Sequence, residues 1–352
     1  MLLGSPNEPR NRRYYDMKLF LKKKLLCEKK VLSLQQQTYP ASRKNSALRV
    51  SLFFYPVMAN YIDKPLDFNQ QIALLKSNGL AFGNEQKALH TLQQVSYFRM
   101  KSYLMPLMDN KVLHSFKSKA TFEQAFELYK FDSRLRKLVA SELEKIEVSI
   151  RTQMAYILAD EIDIYWFLDS VNFVNPIKHS ATLANLKTEL DRSDDDQILR
   201  FKNTYSNPFP PAWMTLEVSS FGTLSMLFKL LKPSLTKRKI AKFYGVSDSV
   251  FESWLHSIVY VRNICAHHSR LWNKTLRIQP LFPRRTAQVF LSSPVRSDRV
   301  YYVLCIIQYF LKTVNPSTSF SMRLKALLAE FPNVDINAMG FTIDWDKEVF
   351  WQ

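Results

Sequence analysis

The sequence predicts an all-α fold. Apolar residues recur at intervals of three and four over long stretches, which is the period of an amphipathic helix. Convincing period-2 strands are scarce, and no internal repeat of 20–50 residues is present. Only six glycines occur in 352 residues, which argues against a turn-dense β-sandwich or barrel. The sequence also lacks GxGxxG and GxxxxGK[ST] motifs, which disfavours the nucleotide-binding folds that use them.

Helical segments are predicted in order from Asp67 onward, several with a clear boundary signal. Phe68–Asn78 ends at Gly79, a residue that favours the position after a helix C-terminus. Thr121, followed by Gln124, predicts the start of a long helix that runs to about Ala159 and could break near Asp132. The other predicted helices are Asn84–Val95, a short helix introduced by Tyr97–Tyr103, Leu183–Leu190, Trp213–Leu231, Leu235–Tyr244, Ser249–Ala266, Val300–Val314 and Ser321–Phe331. Asn172–Pro176 is predicted to be a loop, Asp191–Asp196 an acidic turn and Asn207–Pro211 a rigid connection.

Positive charge is concentrated near the N-terminus. The formal net charge is +18, and residues 1–50, with 12 Lys/Arg and 3 Asp/Glu, carry half of it. Three interpretations of residues 1–57 remain open: a basic arm that binds nucleic acid, a disordered tail, or translation from upstream of a natural start at Met58. We expect residues 58–352 to form a single helical domain.

Composition also predicts the compartment. Cys27, Cys265 and Cys305 have no CxxC spacing, which indicates a reducing compartment and no zinc site. The longest apolar run, Val300–Leu311, is shorter than the ~18 residues of a membrane helix and predicts a buried core helix. No signal peptide is recognisable at the N-terminus. We therefore expect a cytoplasmic protein that makes no membrane contact.

The most informative segment is Arg262–Leu271, which contains the adjacent histidines His267 and His268. No carboxylate occurs from residue 253 to residue 277, so nothing within the segment neutralises its cations. Such a cluster favours an anion, and in a basic chain that anion is expected to be a phosphodiester. Histidine can also exchange a proton near neutral pH.

Helical spacing would place Asn263, His267 and Arg270 on one face, with Lys274 as an extension. Arg262 and His267 are five steps apart, or about 140° around the axis. They therefore cannot stack on a regular helix. Either the Arg262 side chain extends around the helix toward His267, or the helix ends or distorts here, or a second copy of the chain completes the site.

These residue types suit metal-free RNA cleavage, which needs a base for the 2′-hydroxyl, an acid for the leaving oxygen and a cation for the phosphorane. His267 suits acid–base work and Arg262 suits charge stabilisation. Asn263 could orient the imidazole or the substrate, while His268 and Arg270 could hold flanking phosphates. The competing interpretation is that the histidines cap a helix end and Arg270 is a solvated surface cation.

Other polar residues are candidates for support. Glu144, Glu147 and Arg151 lie at spacings of three and four, which favours a structural ion pair over acid–base or metal chemistry. Asp132 is a further supporting candidate.

For two remaining groups of residues, packing in the hydrophobic core is the simpler interpretation. Tyr97 and Arg99 could contact RNA bases and phosphates, although core packing is the default for the tyrosine. Cys265 is expected to be a small core residue rather than a nucleophile.

Residues 261–273, VRNICAHHSRLWN, closely resemble the signature of the Abi family, the AbiD/AbiF-type abortive-infection proteins of bacteria. Further segments agree in the expected order, and together they cover roughly residues 60–350. They are Lys64–Leu66, Gln70–Ile72, Gly79–Leu80, Tyr97–Arg99, Ser102–Tyr103, Tyr129–Asp132, Leu135–Arg136, Glu144–Glu147 with Arg151, Pro211–Met214, Phe221–Ser225, Ser253–Leu255, and Gly340–Phe341 with Trp345.

The resemblance implies a HEPN-like helical bundle with additional N- and C-terminal helices. It implies a metal-independent endoribonuclease toxin of phage defence, without a cofactor or metal, in which Arg262-Asn263-x-x-x-His267 matches the Arg-x(4–6)-His motif. Two HEPN units usually assemble one composite site, so the resemblance implies a homodimer that acts on RNA. It also implies control by a protein or small-RNA antitoxin. A non-catalytic RNA-binding or regulatory HEPN protein is the alternative, and a purely structural helical protein is a weaker one.

Overall fold

The computed structural model describes residues 65–352, and it confirms the all-α prediction. Within this range the chain forms twelve α-helices, and its only sheet is a two-stranded antiparallel hairpin. The prediction made for residues 1–57 lies outside the described residues, as do residues 58–64.

The elements follow the chain in a simple order. The helices are α1 Phe68–Ser77, α2 Glu85–Val95, α3 Tyr97–Leu104, α4 Phe122–Glu161, α5 Pro176–Asp191, α6 Asp196–Thr204, α7 Ala212–Thr215, α8 Phe221–Leu230, α9 Leu235–Phe243, α10 Asp248–Ala266, α11 Val300–Val314 and α12 Phe320–Glu330. The strands are β1 Met108–Asn110 and β2 Ser115–Phe116. Five short 3-10 turns complete the regular structure of these residues: Met105–Leu107, Ser170–Asn172, Asn337–Met339, Trp345–Lys347 and Val349–Trp351.

Helix α4 is the spine of the fold. It runs for 40 residues and starts with a capping box, in which the Thr121 and Gln124 side chains each accept a hydrogen bond from the other's backbone N–H. Helices α3, α9, α10, α11 and α12 all pack against it. The predicted break near Asp132 is wrong. The Asp132 carboxylate accepts hydrogen bonds from the Tyr103 hydroxyl, the Arg136 guanidinium and the Trp272 N–H. It does not compete for the backbone groups of its own helix, so the helix continues through this residue.

Two neighbouring helices differ from the sequence prediction. Helix α5 begins at Pro176 rather than Leu183, because the Asn175 side chain caps it by accepting a hydrogen bond from the Lys178 N–H. Beyond the predicted acidic turn the chain forms α6. The Asp195 carboxylate accepts hydrogen bonds from two backbone N–H groups at the start of that helix and thereby nucleates it.

The helix predicted over Trp213–Leu231 is two helices, α7 and α8. Helix α7 ends at Thr215, and α8 starts after Ser220, whose backbone is extended and whose hydroxyl accepts a hydrogen bond from the Thr223 N–H. A serine with this geometry starts a new helix instead of continuing an old one.

Helix α11 is the predicted core helix. All of its residues from Val300 to Leu311 are buried, and it packs on α4 and α10. None of the helices in residues 65–352 has both the length and the apolar character needed to cross a membrane.

Candidate functional site

Helix α10 carries the start of the predicted cluster and ends inside it. Ser247 caps its N-terminus, and the helix stops at Ala266, so His267 occupies the C-terminal cap with its N–H bonded to the Asn263 carbonyl at 3.0 Å. Arg262 and Asn263 lie in the last helical turns. The helix therefore ends between Arg262 and His267, as one of the arrangements considered for them requires.

His268 reverses the direction of the chain. Its φ of 53° is left-handed, a conformation that glycine usually supplies at the end of a helix. The N–H of Ser269 returns to the Ile264 carbonyl at 2.9 Å, which closes the helix end. The predicted common face of Asn263, His267, Arg270 and Lys274 is therefore wrong, because Arg270 and Lys274 lie beyond the end of the helix.

Asp132, in the middle of α4, fixes the segment that follows the histidines. Its fully buried carboxylate accepts hydrogen bonds from the N–H groups of Leu271 at 3.1 Å and Trp272 at 2.6 Å. It also accepts from the Tyr103 hydroxyl at 2.6 Å and pairs with Arg136. Burial raises the pKa of the Asp132 carboxyl, and the Arg136 charge opposes that shift. Asp132 thus supports the site through backbone hydrogen bonds.

Helix α3 holds the same segment from the other side. The Arg99 guanidinium donates to the carbonyl of His268. In the reverse direction, Arg270 donates to the Ser102 carbonyl at 3.2 Å. Tyr97 is half-buried against the hydrophobic core, and burial raises the pKa of its hydroxyl. The structure therefore brings Arg99 to the histidine pair, whereas the Tyr97 ring packs against the core.

A groove of about 570 Å³ runs between α4 and the end of α10, within the usual size range of a ligand site. Its α4 wall is built by residues spaced three and four apart. Its lining residues are Ser133, Arg136, Lys137, Ala140, Glu144, Glu147, Val148, Arg151, Arg262, Cys265, Ala266 and His268.

Glu147 connects the two walls of this groove. It pairs with Arg151 at 3.0 Å along α4, as the spacing predicted, and with Arg262 at 3.2 Å across to α10. The segment itself supplies no carboxylate, and the acidic partner of Arg262 comes instead from a helix 115 residues earlier in the chain. Arg262 also donates to the Asn263 side-chain carbonyl at 3.3 Å, and its side chain remains 34% exposed.

The remaining predicted residues take different positions. Glu144 is exposed at the groove, Asn263 and His267 are exposed at the helix end, and Lys274 is half-buried in the following loop. Of the two histidines, only His268 is among the groove-lining residues.

Cys265 is a core residue, as expected. Burial raises the pKa of its thiol to about 12, so at neutral pH it is not the thiolate that a nucleophile requires. Within residues 65–352 no cluster of three or more His, Cys, Asp or Glu side chains has an arrangement that could hold a metal ion.

One buried carboxylate was missed by the sequence interpretation. Glu142 is fully buried and pairs with Arg323 and with Lys145. The signal was present, because Glu142 falls in the same stripe of α4 as the buried Val139 and Ile146. A carboxylate at a core position must find a cation.

The arrangement has a clear chemical capacity. A partly exposed arginine fork and two exposed imidazoles lie within seven residues of the chain, and Arg262 and His268 line a groove with further cations. The arginine can donate in bidentate fashion to a phosphate, and imidazole is a side chain that can serve as a general acid or base.

Comparison with known proteins identifies the family. A family model described as Abi-like protein matches residues 90–273, which is more than half of the chain and includes the whole arginine–histidine cluster. The opening and closing segments noted in the sequence lie outside this match. Searches of the curated proteins and of the solved structures found no match. The chain therefore belongs to the Abi-like family of abortive-infection proteins.

Proposed function

We propose that the protein is a metal-independent endoribonuclease of the HEPN type that acts as a toxin in abortive infection. The observation that carries this proposal is the position of Arg262, whose partly exposed guanidinium lies at the junction of a cation-lined groove and an exposed histidine pair. Arg262 stabilises the negative charge of the phosphorane. RNA is a cytoplasmic substrate, so we place the activity in the cytoplasm.

In the proposed reaction, an imidazole removes the proton of the 2′-hydroxyl, and the freed oxygen attacks the adjacent phosphorus. The bond to the 5′-oxygen breaks, and a second proton donor protonates the departing oxygen. His267 is the proposed acid–base group, and Asn263 orients it or the substrate. His268 and Arg270 bind flanking phosphates, with Arg99 and Lys274 as outer contacts.

One His267 cannot be both base and acid in the same step, which favours a site shared by two copies of the chain. His267 and Asn263 are exposed at the end of α10, where a second copy could present the same residues. We therefore propose a homodimer with one composite site. In this scheme a protein or small-RNA antitoxin restrains activity before infection.

Glu147 supports this chemistry by holding Arg262 toward the groove. The carboxylate accepts from both Arg262 and Arg151, so it limits the rotamers of a long side chain. An RNA phosphate would then meet a guanidinium that is already oriented.

One observation favours a second candidate, a non-catalytic or regulatory RNA-binding protein. The imidazole that lines the groove together with Arg262 belongs to His268, not to His267. In that case RNA affinity would fall with increasing salt, and no cleavage would occur under any condition.

The test is induced expression in a bacterial host, followed by mapping of new RNA ends and by cleavage assays with purified protein in EDTA. Arg262→Ala and His267→Ala should abolish both growth arrest and new ends. His256→Ala is the matched control, because His256 is an exposed histidine of the same helix that lines a different groove. Full cleavage by both Arg262→Ala and His267→Ala would refute the proposed site.

A further inference from the structure

Two exposed aromatic rings form a stacked pair beside the groove. Tyr156 on α4 and Trp213 on α7 have ring centroids 6.3 Å apart and planes inclined by only 13°. Tyr156 is 59% exposed and Trp213 is 36% exposed. A pair with this much open ring surface has an apolar face on which another flat ring can stack.

Tyr156 continues a row of exposed α4 residues that begins in the groove wall. Glu144, Val148, Thr152 and Tyr156 follow one another at steps of four, and all four are exposed. Each step of four turns the side chain by about 40° around the axis, so successive members of the row are neighbours and Tyr156 lies about 80° around the helix from Val148. The first two line the groove, and the rise from Val148 to Tyr156 is about 12 Å. A chain that leaves the groove along α4 therefore meets the aromatic pair.

Arg151 ties the two features into one rigid surface. Its guanidinium lines the groove and donates to the Ser219 carbonyl at 3.2 Å. It also lies 3.8 Å from the carboxylate of Glu217. Both partners belong to the connection that follows α7, the helix that carries Trp213.

Charge points to the class of ligand. Four Lys/Arg side chains line the groove against two glutamates. Arg136 is buried and paired with Asp132, and Arg151 shares Glu147 with Arg262. The cations that the groove offers to a phosphate are therefore Lys137, which is exposed, and Arg262, whose side chain is 34% exposed. Cations that follow a backbone and aromatic rings that stack with bases are the two elements of single-stranded nucleic-acid binding. An interface with another protein would not require this combination.

We propose that Tyr156 and Trp213 form a stacking platform for a base of single-stranded RNA whose backbone lies in the groove. The inference rests on the proposed action on RNA and adds a recognition element to it. Every base has a ring face, so the platform binds RNA with little sequence preference.

The test is fluorescence anisotropy of the full chain with a labelled 2′-O-methyl oligoribonucleotide, which lacks the hydroxyl needed for cleavage. Tyr156→Ala should raise Kd about 5- to 140-fold, the range that corresponds to ~1–3 kcal/mol of stacking by one base. Tyr156→Phe should bind like wild type, because stacking requires the ring and not the hydroxyl. Tyr205→Ala is the matched control, because Tyr205 is 58% exposed and lies at the end of a different helix.

An abasic oligomer of the same length separates bases from phosphates, and it should bind to wild type and Tyr156→Ala equally. Unchanged affinity of Tyr156→Ala for the full oligomer would overturn the proposal. So would a conversion of dimer to monomer by Tyr156→Ala in sedimentation, because the pair would then serve a second copy of the chain. Cleavage of unmodified RNA by the wild-type protein is measured separately. If wild type does not cleave RNA but binds it more tightly than Tyr156→Ala does, the nuclease is refuted and the platform stands. If wild type cleaves RNA but Tyr156→Ala binds as tightly as wild type, the platform is refuted and the nuclease stands.

Discussion

Replacement of Asp132 should both destabilise the fold and release the segment that follows the histidines. Asp132→Ala leaves the buried Arg136 without its carboxylate, and removing one partner of a buried ion pair costs about 3–5 kcal/mol. The N–H groups of Leu271 and Trp272 also lose their acceptor, at roughly 1–3 kcal/mol for each buried group left unsatisfied. The cost of the unpaired arginine and the cost of the unsatisfied N–H groups are not fully additive, because water can enter the space left by the carboxylate and bind both. We therefore expect Asp132→Ala to lower the free energy of unfolding by about 4–6 kcal/mol in total.

The milder variant Asp132→Asn separates charge from hydrogen bonding. Its amide oxygen can still accept from the two backbone N–H groups, whereas its NH₂ group would face the Arg136 guanidinium. We expect roughly half of the alanine effect. Urea unfolding followed by circular dichroism measures the free energy, and hydrogen exchange at Leu271 and Trp272 shows whether this segment opens first.

The matched control is Asp160→Asn, an exposed carboxylate on the same helix. It should change the free energy of unfolding by no more than about 0.5 kcal/mol. The reasoning fails if Asp132→Asn behaves like this control, or if exchange at Leu271 and Trp272 remains as slow as in wild type.

Three further predictions concern stability. Gly340→Ala should cost about 1–3 kcal/mol, because φ is +91° and a Cβ would lie 2.5 Å from the Cβ of Arg299. Gly222→Ala should be neutral or stabilising, since the nearest atom to an added Cβ is 3.7 Å away. Equal melting temperatures of the two glycine variants in thermal unfolding would contradict this contrast. Hydrogen bonding to Arg296 lowers the pKa of Asp298 in the folded state. The ionised Asp298 side chain should therefore contribute fully to folding stability above its unfolded-state pKa of about 3.9, and this contribution should decline as the pH falls through the lower folded-state pKa. Asp298→Asn should therefore lower the Tm more at pH 7 than at pH 2, and an equal effect at both values would refute the shift.

Features that depend only on residues close in sequence, such as the cap of α4 and the ion pair within that helix, were predicted correctly. The capping box at Thr121 located the start of α4, and the i,i+4 spacing predicted the pair of Glu147 with Arg151. Both depend on atoms within one turn of helix, where the geometry is the same in every protein.

Contacts between distant segments could not be predicted in this way. Glu147 reaches Arg262 across 115 residues, and Asp132 reaches Trp272 across 140. A spacing rule specifies which residues share a face but not which face of another helix they meet. The sequence nevertheless contained a partial signal, because Asp132 interrupts the buried stripe of α4 and a carboxylate there requires donors from elsewhere.

The backbone conformation of His268 allows a test of whether this residue serves the turn or RNA binding. His268 has a φ of 53°, and a residue with a Cβ costs about 1 kcal/mol there relative to glycine. His268→Gly should therefore be as stable as wild type or more stable, provided that the Cys265 and Ile264 carbonyls keep their hydrogen bonds to the turn. The same variant removes the imidazole that lines the groove and should weaken RNA binding.

Lys119→Gly is the control for this experiment, because Lys119 has a φ of 64° and is exposed but does not line the groove. It should gain stability without a change in RNA affinity. A gain in stability accompanied by a loss of affinity, found only for His268→Gly, would show that the strain is retained for the sake of the imidazole. If His268→Gly instead keeps full affinity, or loses stability, the histidine serves the turn and not the ligand.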